Sequence, residues 1–112
     1  MGVLQGAFLF MADLIRATPI DLTTDFIGLS SYGSGTTSSG QVRLVSDLSM
    51  SVENRDVLIV EDIVDTGLTL AYLKRNLASR HPRSVRVCVL ADKAERREVD
   101  VTVDYVGFTV PN

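Results

Sequence analysis

The sequence predicts an α/β fold: a mostly parallel sheet flanked by helices, with one projecting β-hairpin. Three observations carry that expectation. Val57-Leu58-Ile59-Val60 and the run Val85 to Leu90 are near-continuous apolar stretches, the pattern of parallel strands covered on both faces. Stretches with helical spacing alternate with these strand-like ones. A glycine- and hydroxyl-rich stretch, residues 32–40, breaks the alternation once.

In chain order, residues 2–4 read as the end of a strand. Ala7 to Arg16 are predicted helical, with Phe8, Met11, Ala12 and Ile15 at roughly helical spacing, and Pro19 ends the helix. Residues 21–31, rich in Thr, Phe, Ile and Leu, read as a strand. Residues 32–40, Tyr-Gly-Ser-Gly-Thr-Thr-Ser-Ser-Gly, cannot bury a face and are expected to form a mobile loop. Gln41 to Leu48 return as a strand with Val42, Leu44 and Ser46 on one face. Asp56 to Val60 form the central strand. Leu68 to Arg80 form a helix with Leu70, Leu73 and Leu77 inward, Arg80 and His81 at its end and Pro82 beyond. Ser84 to Leu90 are a second buried strand, and Tyr105 to Phe108 a short last one. With no repeat and no internal boundary, residues 1–112 are expected to form one domain.

Composition narrows the function. The 112 residues are 46% hydrophobic with net charge −3 and no basic run, so electrostatics offer no case for nucleic-acid binding. The apolar stretches are too short to span a bilayer, and no charged n-region with a cleavage site precedes them. Cys88 sits in the apolar run and is expected to be a buried, reduced thiol. These features suit a cytoplasmic enzyme.

The chemistry concentrates at residues 61–69. Glu61 and Asp62 follow the central apolar run, Asp65 comes next, and Thr66-Gly67-Leu68-Thr69 lead into the helix. The carboxyl ends of strands are where open α/β sheets bind ligands. The turn offers unpaired N–H groups, two hydroxyls and the positive end of a helix dipole, which together suit an anion. The acids suit hydroxyls or a hard cation. A phosphorylated sugar has both halves. Consecutive acids on an extended backbone would point to opposite faces. The same residues also suit plainer roles: Glu61 and Asp62 a solvated acidic turn, Asp65 a helix N-cap, Thr66 an ordinary cap.

This segment resembles the phosphoribosyl pyrophosphate (PRPP) motif of the type I phosphoribosyltransferases, in the form used by the hypoxanthine-guanine branch. The resemblance extends along the chain through Leu4-Gln5-Gly6-Ala7, Phe10-Met11-Ala12-Asp13-Leu14, Ser31-Tyr32-Gly33, Asp92-Lys93 and Asp104-Tyr105-Val106-Gly107-Phe108. It implies an enzyme that moves the phosphoribosyl group of PRPP to hypoxanthine or guanine, giving IMP or GMP and pyrophosphate. Glu61 and Asp62 would hold the ribose hydroxyls with Mg2+ nearby. Asp65, Thr66, Gly67, Leu68 and Thr69 would cradle the 5′-phosphate, and Asp65 would also handle the proton on purine N7. Leu4, Gln5 and Gly6 would form the pyrophosphate loop, with a cis peptide between Leu4 and Gln5. There Gln5 stands where the family usually has lysine. Ser31, Tyr32 and Gly33 would open a loop that closes over the substrate. Lys93 would donate to the purine 6-oxo group, and Arg96 and Arg97 would lie near the pyrophosphate. The resemblance also implies a homo-oligomer, dimer or tetramer. The family's upstream strand and helix and its C-terminal segment, which stacks on the purine, are expected to lie outside these 112 residues, making this a core portion.

Two other readings compete. A remnant or regulator of the same fold would bind PRPP or nucleotide without turnover. A signalling receiver domain also has an apolar strand ending in an acidic pair, but there the pair lies near the start of the domain, whereas some 60 residues precede it here.

Overall fold

The computed structural model of the chain describes residues 1–32 and 41–111. Its strands are β1 (Gly2–Leu4), β2 (Phe26–Tyr32), β3 (Gln41–Ser46), β4 (Asp56–Val64), β5 (Ser84–Asp92) and β6 (Tyr105–Thr109). Its α-helices are α1 (Phe8–Ala17) and α2 (Leu68–Ala78). The strands form one sheet in the order β3-β2-β1-β4-β5-β6. All neighbours run parallel except β2 and β3, the expected antiparallel hairpin pair. Tyr32, expected to open the mobile loop, is the last residue of β2, and residues 33–40, Gly33 included, lie outside the described residues.

The two apolar runs fill the middle of this sheet. β4 lies between β1 and β5, parallel to both. One face of β4 and β5 presents Val57, Ile59, Val87 and Val89 to Leu70, Leu73 and Leu77 of α2, the three leucines expected to point inward. The other packs Val60 and Leu58 on Ala7, Met11, Leu14 and Ile15 of the α1 segment. One helix therefore covers each face, and both faces of β4 are apolar, as its continuous run requires. Cys88 is a free, buried thiol, and burial pushes its pKa up.

Several boundaries differ from the sequence expectation, each for a physical reason. Residues 21–25 are not a strand. The Asp25 carboxylate accepts hydrogen bonds from the Phe26, Ser49 and Met50 amides, tying the approach to β2 onto the 49–50 turn. β3 ends at Ser46, two residues early, at a register shift opposite Gly28 and Leu29. The buried side of the first helix starts from Ala7 and runs through Met11, whereas Phe8 is exposed, its ring centroid 6.5 Å from that of Phe26. α2 stops at Ala78, and the chain turns back through His81 at φ 57°. The largest difference concerns β4 and β5, which run to Val64 and Asp92 rather than to Val60 and Leu90.

Candidate active site

The sheet order locates a crevice before any side chain is considered. From β1 the chain crosses through α1 to β2 on one side, and from β4 it crosses through α2 to β5 on the other. The carboxyl ends of β1 and β4 flank the point where the winding reverses, the position at which open α/β sheets take their ligands. Leu4-Gln5-Gly6 leave the end of β1 there, and Glu61, Asp62 and Asp65 leave the end of β4.

The extension of β4 places the acids. Glu61, Ile63 and Val64 remain in register with Val89, Ala91 and Asp92 of β5, so the backbone through the acidic pair stays extended. Consecutive side chains on such a backbone project to opposite faces. Asp62 takes the face of the β1 loop. A Cβ placed on Gly6 would lie 3.1 Å from Asp62 Oδ2 and 3.3 Å from its Cβ, so the lack of a side chain at Gly6 is what lets the loop sit against this carboxylate. The loop is closed by the Ala7 amide on the Val3 carbonyl (3.3 Å) and the Phe8 amide on the Gln5 carbonyl (3.1 Å), leaving Gln5 and Gly6 exposed. The Leu4–Gln5 peptide is cis, as the resemblance implied.

Glu61 is largely enclosed. Its Oε1 accepts the Asp62 amide at 3.2 Å. Burial, with a smaller contribution from the neighbouring Asp62 charge, pushes its pKa up to about 7. A carboxyl that titrates higher in the folded chain than in the unfolded one weakens stability as pH rises through the interval between the two values, here from about 4.5 to about 7. Glu61→Gln is therefore expected to leave the unfolding midpoint almost unchanged at pH 5 and to raise it at pH 8. Equal effects of the substitution at the two pH values would show that Glu61 carries no buried charge.

The 65–69 turn is built by short local bonds. The Asp65 carboxylate folds onto the Thr66 amide (2.6 Å) and the Thr66 hydroxyl accepts the Leu68 amide (3.3 Å). The N-cap of α2 is Gly67, at φ +86°, so the plain reading of Asp65 as N-cap does not hold. A left-handed cap residue brings no side-chain oxygen, and the first-turn amides of α2 at Thr69 and Leu70 have no partner within the helix itself. That is the arrangement suited to an incoming anion.

β5 supplies the fourth side of the crevice. Lys93 begins one residue beyond Asp92, and its amide donates to the Val64 carbonyl at 2.9 Å. Lys93 and Asp65 are thus the next residues along two paired strands. Arg97, expected near the pyrophosphate, places Nη1 on the Asp65 carbonyl and Nη2 on the Asp92 carboxylate, each at 3.0 Å. Asp92 and this role of Arg97 were missed from the sequence. The only signal was an acid ending an apolar strand with an arginine five residues on. Ser31 and Tyr32 end β2 on the same edge of the sheet. The structure brings Leu4, Gln5, Gly6, Glu61, Asp62, Asp65 to Thr69 and Lys93 to one edge of the sheet. A separate cavity of about 630 Å3, lined by Met1, Met11, Leu48, Val52, Asp25 and Arg83 among others, opens at the opposite end of the strands and shares none of these residues.

Residues 1–112 match the phosphoribosyl transferase domain family over their whole length. The chain belongs to the phosphoribosyltransferase family. The hypoxanthine-guanine phosphoribosyltransferase of Mycobacterium avium is 54% identical over 110 residues, covering 98% of this chain and 54% of the relative. That of Bacillus subtilis is 49% identical over 112 residues, covering all of this chain and 62% of the relative. Among solved structures, a hypoxanthine phosphoribosyltransferase from Staphylococcus aureus superposes with TM-score 0.93 at 44% identity, covering 99% of this chain and 60% of that one. The chain thus spans between half and two thirds of the length of these relatives. The phosphoribosyltransferase match bears out both the predicted sheet and the resemblance, and it overturns the receiver-domain reading. No helix among the described residues is long and apolar enough to cross a membrane.

Proposed function

We propose that this chain is the PRPP-binding core of a purine salvage phosphoribosyltransferase that converts hypoxanthine or guanine to IMP or GMP. The observation that carries the reading is the crevice at the switch point, where a left-handed Gly67 cap at the head of α2, the half-buried acids Glu61 and Asp62, and Lys93 lie on one sheet edge. The relatives, named for this activity, support it.

The roles follow from the geometry. The 5′-phosphate docks on Thr66, Gly67, Leu68 and Thr69 at the head of α2: the Gly67 and Thr69 amides meet it directly, and it displaces Asp65 Oδ1 from the Thr66 amide and Thr66 Oγ1 from the Leu68 amide. Glu61 and Asp62 accept from the ribose hydroxyls. The pyrophosphate sits on the exposed Leu4-Gln5-Gly6 loop, which offers backbone donors but, with Gln5, no side-chain charge. Lys93 donates to the 6-oxo group of the base. Asp65, the next residue across the strand pair, faces the adjacent N7 and takes its proton as C1 bonds to the purine nitrogen and releases pyrophosphate. Because the ribosyl centre becomes cationic, catalysis rests on positioning and on charge placed around it. Ser31, Tyr32 and Gly33 open the segment that shields that centre from water.

The Asp62 carboxylate, a hard oxygen donor on the face of the β1 loop, fits magnesium, an ion that takes one or two protein carboxylates and completes its shell with water and substrate oxygens. Of the two acids named for it, Asp62 would hold it there, while Glu61 projects to the opposite face of the strand. When bound the ion would neutralise charge on the leaving pyrophosphate. The same reading includes a cytoplasmic location and a homo-oligomer, dimer or tetramer.

Calorimetric titration of the chain with PRPP, with and without magnesium, is the test. Saturable, magnesium-dependent binding is expected. A folded chain that binds no PRPP would sink the proposal. Binding without IMP formation from hypoxanthine would instead favour a non-catalytic nucleotide-binding member of the family.

A further inference from the structure

We propose that Arg97, anchored by Asp92, is a positioning residue that sets the direction of the phosphate-cradle amides without itself touching the phosphate. The inference rests on the phosphoribosyl-binding reading above.

Three successive residues of the cradle are gripped from behind by the segment after β5. The Asp65 carbonyl accepts Arg97 Nη1 at 3.0 Å. The Thr66 carbonyl accepts the Glu98 amide at 2.9 Å, with the Val99 amide at 3.4 Å. Gly67 lies so close to the Arg97 side chain that a Cβ there would be 3.0 Å from Arg97 Cδ and 3.3 Å from the Val99 carbonyl oxygen. Both peptides involved are trans, because among the described residues the cis bond is at Leu4–Gln5. In a planar trans peptide the C=O and the following N–H point in opposite directions. Drawing the Asp65 and Thr66 carbonyls back onto Arg97 and Glu98 therefore turns the Thr66 and Gly67 N–H groups away from the strap.

Asp92 makes Arg97 a fixed point. Its carboxylate pairs with Nη2 at 3.0 Å, and the two side chains are only 10% and 19% exposed. Solvent competes poorly for so enclosed a pair, and the planar guanidinium donates to the Asp65 carbonyl while its other end lies in ion-pair contact with Asp92, whose Oδ1 accepts no hydrogen bond. Lysine, a point charge on a flexible stem, cannot fork to both. The Asp92 charge also offsets that of Arg97, so this arginine serves the loop geometry and is not a free cation for the substrate. The clamp spans the ends of two paired strands, with Asp92 ending β5 and Asp65 following Val64, its register partner in β4, so the cradle is tied to the sheet.

The test uses Arg97→Lys and Asp92→Asn in the whole chain. Two quantities are read: the PRPP dissociation constant, and amide hydrogen exchange without ligand at Glu98 and Val99, whose amides hold the Thr66 carbonyl. The clamp predicts PRPP binding weakened about ten- to a hundredfold in Arg97→Lys, the range for losing a charge-assisted hydrogen bond. Asp92→Asn should act in the same direction. Exchange at Glu98 and Val99 should quicken in both variants while amides in the body of β4 and β5 stay as they were. Unchanged exchange at Glu98 and Val99 overturns the proposal. So does exchange that quickens equally throughout the chain, which would mark a purely structural ion pair, and so does a PRPP affinity within about twofold of the unmodified chain. If the unmodified chain binds no PRPP, the functional reading fails, and the exchange at Glu98 and Val99 alone decides whether the clamp exists.

Discussion

Asp65→Asn is expected to lower the rate of IMP formation by about ten- to a thousandfold, the scale of losing a positioned general base, with little change in PRPP affinity. Asparagine keeps the shape of the side chain and can still accept the Thr66 amide through its oxygen, as Asp65 Oδ1 does at 2.6 Å. The cradle backbone is therefore preserved, because Arg97 holds the Asp65 carbonyl and not its side chain. What is lost is the ability to take a proton from the purine. The Lys93 amide on the Val64 carbonyl ties the two positions to each other, which the proposed roles require: Lys93 on the 6-oxo group and Asp65 on N7 of one base. The measurement is kcat and KM for PRPP in the variant beside the unmodified chain. Full activity in Asp65→Asn would remove the residue from proton transfer. A large rise in KM at constant kcat would reassign it to phosphate binding.

Most of the fold was legible because two apolar runs without alternation can be covered only on both sides. That dictates parallel strands in the middle of a sheet, and β4 and β5 are those strands. The inward faces of α2 followed from the spacing of three leucines. The misplaced boundaries share a cause. Hydrophobicity reports which residues are buried, whereas strand ends are set by backbone pairing. Glu61 to Val64 are not an apolar run, yet they stay in β4 because β5 offers a partner through Asp92. Residues 21–25 have strand-like composition, but the Asp25 carboxylate gathers amides from the 49–50 turn in place of a ladder.

The candidate site divides in the same way. Residues 61–69 were legible as chemistry, since acids, hydroxyls and a glycine fell at a strand-to-helix junction. The roles that depend on distant partners were not. Nothing near Gly6 in sequence shows that Asp62 lies under it, and nothing near Gly67 shows Arg97 packed against its Cα. Asp65 reads as an N-cap by residue type, but the left-handed glycine two residues later takes that place and leaves the carboxylate available for chemistry.

Gly67→Ala carries the other large expected effect, a loss of PRPP affinity on the order of a hundredfold. Two costs combine. At φ +86° a residue with a Cβ is disfavoured by about 1–2 kcal/mol. The added methyl would also meet Arg97 Cδ and Val101 Cγ1, both at 3.0 Å, with the Val99 carbonyl oxygen at 3.3 Å. Arg97 cannot move aside without releasing the Asp65 carbonyl and leaving the enclosed Asp92 unpaired, so the strain falls on the cradle. The chain can keep α2 by letting residues 65–67 shift outward, and that shift takes the Thr66 and Gly67 amides out of alignment. Binding should therefore suffer more than folding. PRPP titration beside a thermal melt separates the two. A variant that melts nearly as the unmodified chain does but binds PRPP poorly supports the cradle. A variant that binds normally would show that the phosphate is held elsewhere, and the anion-binding role of the α2 N-terminus would have to be abandoned.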